Sequence, residues 1–125
     1  DLKSYPLYST SKLTPSSNKK VFYLGDAFHG FLPTIAQGAS QSIESAYELF
    51  NLLKEDNKSA QKIYFTNRSE RVKIIKKRSD INFFAFHFSN SFLQTIRNMI
   101  LKHLVKNQIF ISHYLGEVYK KSKYF

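Results

Sequence analysis

The chain has 125 residues, of which 42% are hydrophobic and 16% aromatic, so its composition supports a folded core and excludes a disordered protein. It contains no cysteine, which excludes disulfides, zinc–thiolate sites and cysteine nucleophiles. The formal net charge of +10 bears on partners and solubility, not on the fold. No apolar stretch approaches the roughly 20 residues of a spanning helix, and no signal-peptide pattern opens the chain, so we expect a cytoplasmic protein.

The first part of the chain predicts one short strand. Residues 1–19 are polar and irregular, with breaks at Pro6 and Pro15. Residues 21–24 are rich in β-forming side chains and end at Gly25–Asp26, which is typical of a buried strand. A buried strand needs hydrogen-bonded neighbours, so the rest of its sheet must come from elsewhere.

Helical spacing dominates the chain after residue 38. From Ala39 to about residue 55, the side chains of Ile43, Ala46, Phe50 and Leu53 fall on one stripe. A second helix is predicted over residues 59–78 and a third over residues 80–106, and the last residues form a basic tail. Along the third helix, phenylalanine, isoleucine and leucine side chains recur at four-residue steps from Phe84 to Leu104.

The stretch from Lys54 to Arg78 carries nine basic and three acidic side chains. Such a stretch is either a surface for RNA or anionic lipid, or a solvated helix face. Lysine outnumbers arginine fifteen to four in the chain, whereas phosphate and base recognition relies more on arginine. We therefore favour the solvated face, which makes nucleic acid an unexpected partner and leaves at most a weak peripheral contact with a membrane.

Residues 24–46 contain the groups in this chain that are best suited to bind a ligand. Gly25 allows a close approach at the end of the predicted strand, and the carboxylate of Asp26 is a good acceptor for ligand hydroxyls. After a loop stiffened by Pro33, small residues open a helix at Gly38, whose free N–H groups and positive dipole end favour electron-rich atoms. The two features are one short loop apart and can bind two parts of one extended ligand.

This segment resembles the second flavin-binding motif of the group A flavoprotein monooxygenases, which hydroxylate aromatic rings. The family pattern runs Gly-Asp-Ala-x-His, then proline, then Gln-Gly and a later Glu-Asp-Ala, and here Ser45 replaces its second Asp. The Ala-Gln-Gly-Ala run at residues 36–39 is closer to the salicylate-hydroxylase-like branch than to the ubiquinone-hydroxylase branch. The positions matching in register are Gly25, Asp26, Ala27, His29, Pro33, Ala36, Gln37, Gly38, Glu44 and Ala46.

The resemblance implies FAD as cofactor and NAD(P)H as co-substrate. Asp26, beside Gly25, would accept hydrogen bonds from the ribityl hydroxyls, and Pro33 would lie beside the isoalloxazine near the aromatic substrate. The backbone around the helix start would face the pyrimidine edge of the flavin, where the helix dipole would stabilise negative charge. The cofactor-binding positions at that helix start are Ala36, Gln37, Gly38, Ala39 and Ser40.

The family's Gly-x-Gly-x-x-Gly fingerprint does not occur in the chain. We therefore expect a mainly α structure with a short β portion, the C-terminal fragment of an α/β, Rossmann-like FAD-binding fold. Residues 1–57 would complete the FAD-binding domain and residues 58–125 would form a C-terminal helical region. The remaining partner would be an upstream N-terminal half of the same enzyme. Two alternatives stay open: a non-catalytic remnant of a split or decayed gene, and a basic module for RNA or anionic lipid.

The four histidines give no metal site by spacing. His29 could serve as a general base, but we favour a role in holding the loop. We expect Glu44 to anchor its helix and not to contact the flavin, and we identify no catalytic residue in this chain.

Overall fold

The structure is a computed structural model that describes residues 3–18, 20–55 and 58–120. In that part, two 3-10 turns, Gly25–Ala27 and Pro33–Ile35, precede four helices and no strand is formed. The helices are α1 (Gly38–Lys54), α2 (Ala60–Phe86), α3 (Ser91–Leu104) and α4 (Gln108–Tyr119). Every helix among the described residues is too short or too polar to traverse a bilayer.

Residues 21–24 do not form a strand in the described part of the chain. Leu24 has φ −128° and ψ 156°, as in a strand. The carbonyl of Tyr23 instead accepts a hydrogen bond of 3.0 Å from the hydroxyl of Tyr64 on α2. Because no neighbouring strand lies in the described part, the predicted strand is not formed there, and the α/β character of the whole fold stays a prediction.

The first helix is confirmed, and the later boundaries are corrected. α2 continues to Phe86 instead of ending near residue 78, and the single helix predicted over residues 80–106 is wrong. The Asn90 carboxamide accepts hydrogen bonds from the backbone N–H groups of Phe92 (2.9 Å) and Leu93 (3.3 Å) and so starts α3. Asn107 starts α4 in the same way, through a 3.0 Å bond from the N–H of Phe110.

The core lies between α1, α2 and the loop before α1. Leu49 and Leu52 of α1 pack against Ala60 and Tyr64 of α2. Phe28 fills the adjoining space, with its ring centroid 6.1 Å from that of Tyr64. The basic tail begins at the last described residues and otherwise lies outside them, as do residues 56 and 57, so the domain boundary predicted after residue 57 stays a prediction.

The apolar stripe of α1 does not face this core. Ile43 is 65% exposed, Phe50 61% and Leu53 52%, whereas the face turned to α2 carries buried polar side chains. The hydrophobic spacing therefore predicted the helix but not its orientation.

Candidate functional site

The Gly25–Ala27 turn is built by a left-handed glycine. Gly25 has φ +54°, and its carbonyl accepts hydrogen bonds from the N–H groups of Phe28 (2.9 Å) and His29 (2.8 Å). A Cβ at this position would lie 2.9 Å from the hydroxyl oxygen of Ser42 on α1. Glycine therefore allows the turn both this backbone conformation without the cost of a side chain and this close approach to the helix.

Asp26 follows Gly25 in a turn that packs against α1. Ser42, which touches Gly25, donates a 2.9 Å hydrogen bond to the carbonyl of Gly38 at the first position of the helix. Asp26 is exposed, and the space around the Cβ position of Gly38 is open to 4 Å. Gln37 precedes the helix without capping it through its side chain, and Ala39 and Ser40 are exposed. The predicted carboxylate and the predicted helix start thus lie on neighbouring, accessible elements.

The turn containing Pro33 is fixed by a residue far along the chain. The hydroxyl of Ser79 on α2 donates to the carbonyl of Leu32 (2.8 Å), and the hydroxyl of Thr34 donates to the carbonyl of Ser79 (2.7 Å). Pro33 stays exposed between these two anchors. Ala36 then closes the turn with φ 51° and ψ 33°, a left-handed conformation that an L side chain adopts at a cost.

His29 lies inside the protein. Its side chain is fully buried, and its Nε2 lies 3.4 Å from the hydroxyl of Ser45, which donates to the carbonyl of Gln41 (2.6 Å). Burial lowers the pKa of His29, and the charge of Arg68 acts in the same direction. The imidazole holds the loop against α1, as predicted, and Ser45 at the departure from the family pattern is its partner.

A buried charge cluster lies beneath the first turns of α1. The fully buried guanidinium of Arg68 on α2 contacts the carboxylate of Glu44 at 2.9 Å and the side-chain oxygen of Gln41 at 2.7 Å. Glu48 lies 3.6 Å from the same guanidinium, and burial raises its pKa although Asn67 donates to it. Glu44 anchors α1 to α2, which confirms the role predicted for it.

Arg71 extends this cluster to the end of α4. Its Nε lies 3.3 Å from Glu44, and its two terminal nitrogens donate to the carbonyls of Glu117 (2.6 Å) and Val118 (2.5 Å) at the end of α4. These carbonyls are left without helical partners, so the arginine satisfies them. Arg71 on α2 thereby connects Glu44 of α1 with the end of α4.

Sequence reasoning missed Gln41, Glu48, Ser45 and Ser79. A signal for the charged pairs was present, because Glu44 and Glu48 are four residues apart and Arg68 and Arg71 are three apart, so each pair occupies one helix face. No comparable signal marks Ser79. Within residues 3–18, 20–55 and 58–120, no group of three His, Asp or Glu side chains is placed to hold a metal.

Two curated proteins that are partly similar to this chain are monooxygenases. The chain is 31% identical over 86 residues to 6-hydroxynicotinate 3-monooxygenase from Bordetella bronchiseptica, which covers 66% of this chain and 22% of that protein. It is 39% identical over 72 residues to the FAD-dependent monooxygenase dmxR9 from a Cryptosporiopsis species, which covers 54% of this chain and 14% of that protein. The chain therefore spans about a fifth or less of the length of these relatives, and the similarity supports the FAD-dependent monooxygenases as a general family.

No family model matches the chain. No solved structure matches it either.

Proposed function

We propose that this chain is the flavin-contacting part of an FAD-dependent monooxygenase of the group A type, acting on an aromatic substrate with NAD(P)H and O2. The observation that supports the proposal is the close approach of Gly25 to Ser42 on α1, because it brings the turn that contains Asp26 against the helix whose first residues we propose to face the flavin. Two features of the residues present are compatible with a flavin: nothing lies within 4 Å of the Cβ position of Gly38, and the side chain of Gln37 does not cap the helix.

Each residue has a role in this proposal. Asp26 would accept hydrogen bonds from the ribityl hydroxyls. The N–H groups at Gly38, Ala39 and Ser40 would face the pyrimidine edge, where the helix dipole favours negative charge. The bound flavin supplies the redox and oxygen chemistry, whereas this chain binds and orients it. Pro33 would border the aromatic substrate.

The proposal includes a partner, the upstream half of the same enzyme. The exposed stripe at Ile43, Phe50 and Leu53 is an apolar helix face without a cover in the described part. Leu24, at the end of the predicted strand, is extended but has no neighbouring strand there. A sheet from that upstream half would satisfy both features. The isolated chain would then be inactive and would purify without stoichiometric yellow flavin, because the cradle for the ADP portion lies elsewhere.

The test uses the full chain, labelled with 15N and titrated with riboflavin or with ADP. Riboflavin carries the isoalloxazine and ribityl groups without phosphate, so we expect weak, saturable amide shifts at residues 25–27 and 38–40. ADP should leave these residues unchanged. Asp26→Ala should abolish the riboflavin shifts, and Glu55→Ala, which removes another exposed carboxylate, should preserve them. Absence of riboflavin shifts in the wild-type chain would refute the proposed function.

The same titration separates the basic binding module from the flavoprotein. An open groove of about 630 Å³ along α2 is lined by three lysines, by Asp80 and Ser11, and by two apolar side chains; the lysines are Lys73, Lys76 and Lys77. An anion-binding role predicts ADP shifts at these lysines that weaken steeply as salt is added. A remnant without function predicts no saturable shift with either compound.

A further inference from the structure

We infer that Ser79 and Thr34 are positioning residues that fix the direction of Pro33 toward the bound flavin and its substrate, an inference that rests on the proposed function. Pro33 lies between two groups tied to one point of α2. The carbonyl before it, at Leu32, accepts from the Ser79 hydroxyl at 2.8 Å, and the hydroxyl after it, at Thr34, donates to the Ser79 carbonyl at 2.7 Å. The two hydroxyls also lie 2.9 Å apart.

Ser79 is well placed to fix the exposed turn that contains Pro33. Ser79 is 1% exposed, so its hydrogen bonds are shielded from competing water. It belongs to a helix of 27 residues that also carries Arg68, and that arginine holds the start of α1. One rigid element therefore sets both the Pro33 turn and the helix start that follows it.

The backbone between these points adds a second constraint. Ala36 joins the turn to α1 in a left-handed conformation, which persists only where the surroundings impose it. With Ser79 released, the turn loses the contacts that impose this conformation. The Pro33 ring and the first N–H groups of α1 would then shift together relative to Asp26.

The variants for the test are Ser79→Ala and Thr34→Val, each of which removes a hydroxyl with little change in shape. Ser69→Ala is the matched control, because Ser69 lies on the same helix and is buried, and its hydroxyl has no hydrogen-bond partner among the described residues. Thr34→Ser keeps the hydroxyl and serves as the conservative rescue.

Two readouts are taken on the full chain. Hydrogen exchange should show that the amide of Gln41, which donates to the carbonyl of Gln37 at 2.9 Å, loses about tenfold of its protection in Ser79→Ala and Thr34→Val, because the turn before α1 no longer holds the first turn of the helix in place. Riboflavin affinity, followed by the amide shifts at residues 38–40, should fall about fivefold or more in the same two variants. Ser69→Ala and Thr34→Ser should match the wild type in both readouts.

The outcomes separate this inference from the proposed function. If the wild-type chain binds riboflavin and Ser79→Ala binds it equally well, the positioning role is overturned while the flavin site stands. Unchanged exchange at the Gln41 amide would overturn the anchoring of the turn by Ser79 itself, whatever the flavin result. A wild-type chain that does not bind riboflavin would overturn the proposed function and this inference together.

Discussion

The guanidinium of Arg68 on α2 lies 2.9 Å from the carboxylate of Glu44 on α1, and the arginine side chain is fully buried. The same guanidinium donates to Gln41, four positions into α1. This pair explains why α1 turns its polar face inward and its apolar stripe outward. A buried cation requires partners, and Glu44 and Glu48 supply them only from that face.

Arg68→Met should destabilise the fold strongly. Removal of Arg68 leaves the buried carboxylate of Glu48 without its cation and leaves Glu44 paired with Arg71 alone, and such a change costs about 3–5 kcal/mol in the free energy of unfolding. Urea denaturation followed by circular dichroism measures it. Lys76→Met breaks the exposed pair with Asp80, which is 3.6 Å long, and should cost under about 1 kcal/mol.

If Arg68→Met does not fold, the loss of unfolding free energy is measured in Arg68→Lys instead. Lysine keeps the charge but loses the fork that reaches Gln41 and Glu44 together, so a smaller loss is expected. A loss no larger than that of Lys76→Met in both Arg68 variants would show that the cluster does not hold α1.

Gly25→Ala should destabilise the turn for two reasons. An alanine at φ +54° costs about 1–2 kcal/mol, and its Cβ would lie 2.9 Å from the Ser42 hydroxyl. Thermal unfolding should show a lower midpoint, and adding Ser42→Ala should recover only the part caused by the contact. Gly116→Ala is the control, because nothing lies within 4 Å of its Cβ position, and it should stabilise α4 by about 0.5–1 kcal/mol.

His29 should make stability depend on pH near neutrality. Burial lowers the pKa of His29 below its ordinary value of 6.5, so the unfolded chain binds the proton more readily than the folded chain. The stabilising effect of the neutral imidazole is therefore complete above 6.5 and is lost as the pH falls, by at most about 1.4 kcal/mol per pH unit. Glu48 acts in the opposite direction, since burial raises its pKa and its contribution is lost as the pH rises past 4.5.

The measurement compares unfolding free energies at two pH values, one on each side of 6.5, for the wild type and for His29→Gln. The difference between the two proteins isolates His29 from Glu48, and the variant should lose less stability on acidification. His113→Gln, which changes an exposed imidazole, should behave as the wild type does. An equal pH response in His29→Gln and the wild type would contradict the buried neutral imidazole.

The sequence predicts the features of this structure that depend on neighbouring residues better than those that depend on distant ones. The start of α1 was predicted within one residue because glycine and small residues mark it, and Glu44 was correctly assigned to anchoring its helix. The orientation of α1 was not predictable from its own spacing, because the deciding partner, Arg68, lies 24 residues away. The break at Asn90 was missed because a continuous apolar pattern crosses it, and the local cap outweighs that pattern.

The residues of the candidate site also differ in whether the local sequence predicts them. Gly25, Asp26 and Gly38 follow from local chemistry, since a turn, a carboxylate and a helix start can each be identified from neighbouring residues. The anchoring of Pro33 by Ser79 depends on a contact 47 residues apart between Ser79 and Leu32, and a lone serine within a charged helix gives no sign of it.

Gly38→Ala should separate flavin binding from folding. Nothing lies within 4 Å of the Cβ position, and alanine favours helix, so the free energy of unfolding should stay within about 1 kcal/mol of the wild type or rise. If the flavin approaches the backbone at this point, the added methyl group occupies part of its space, and riboflavin affinity should fall about tenfold. Stability comes from urea denaturation and affinity from the amide shifts at residues 25–27, which lie outside the mutated turn. Wild-type affinity in Gly38→Ala, alongside lost binding in Asp26→Ala, would mean that the ligand contacts the carboxylate without approaching the helix start.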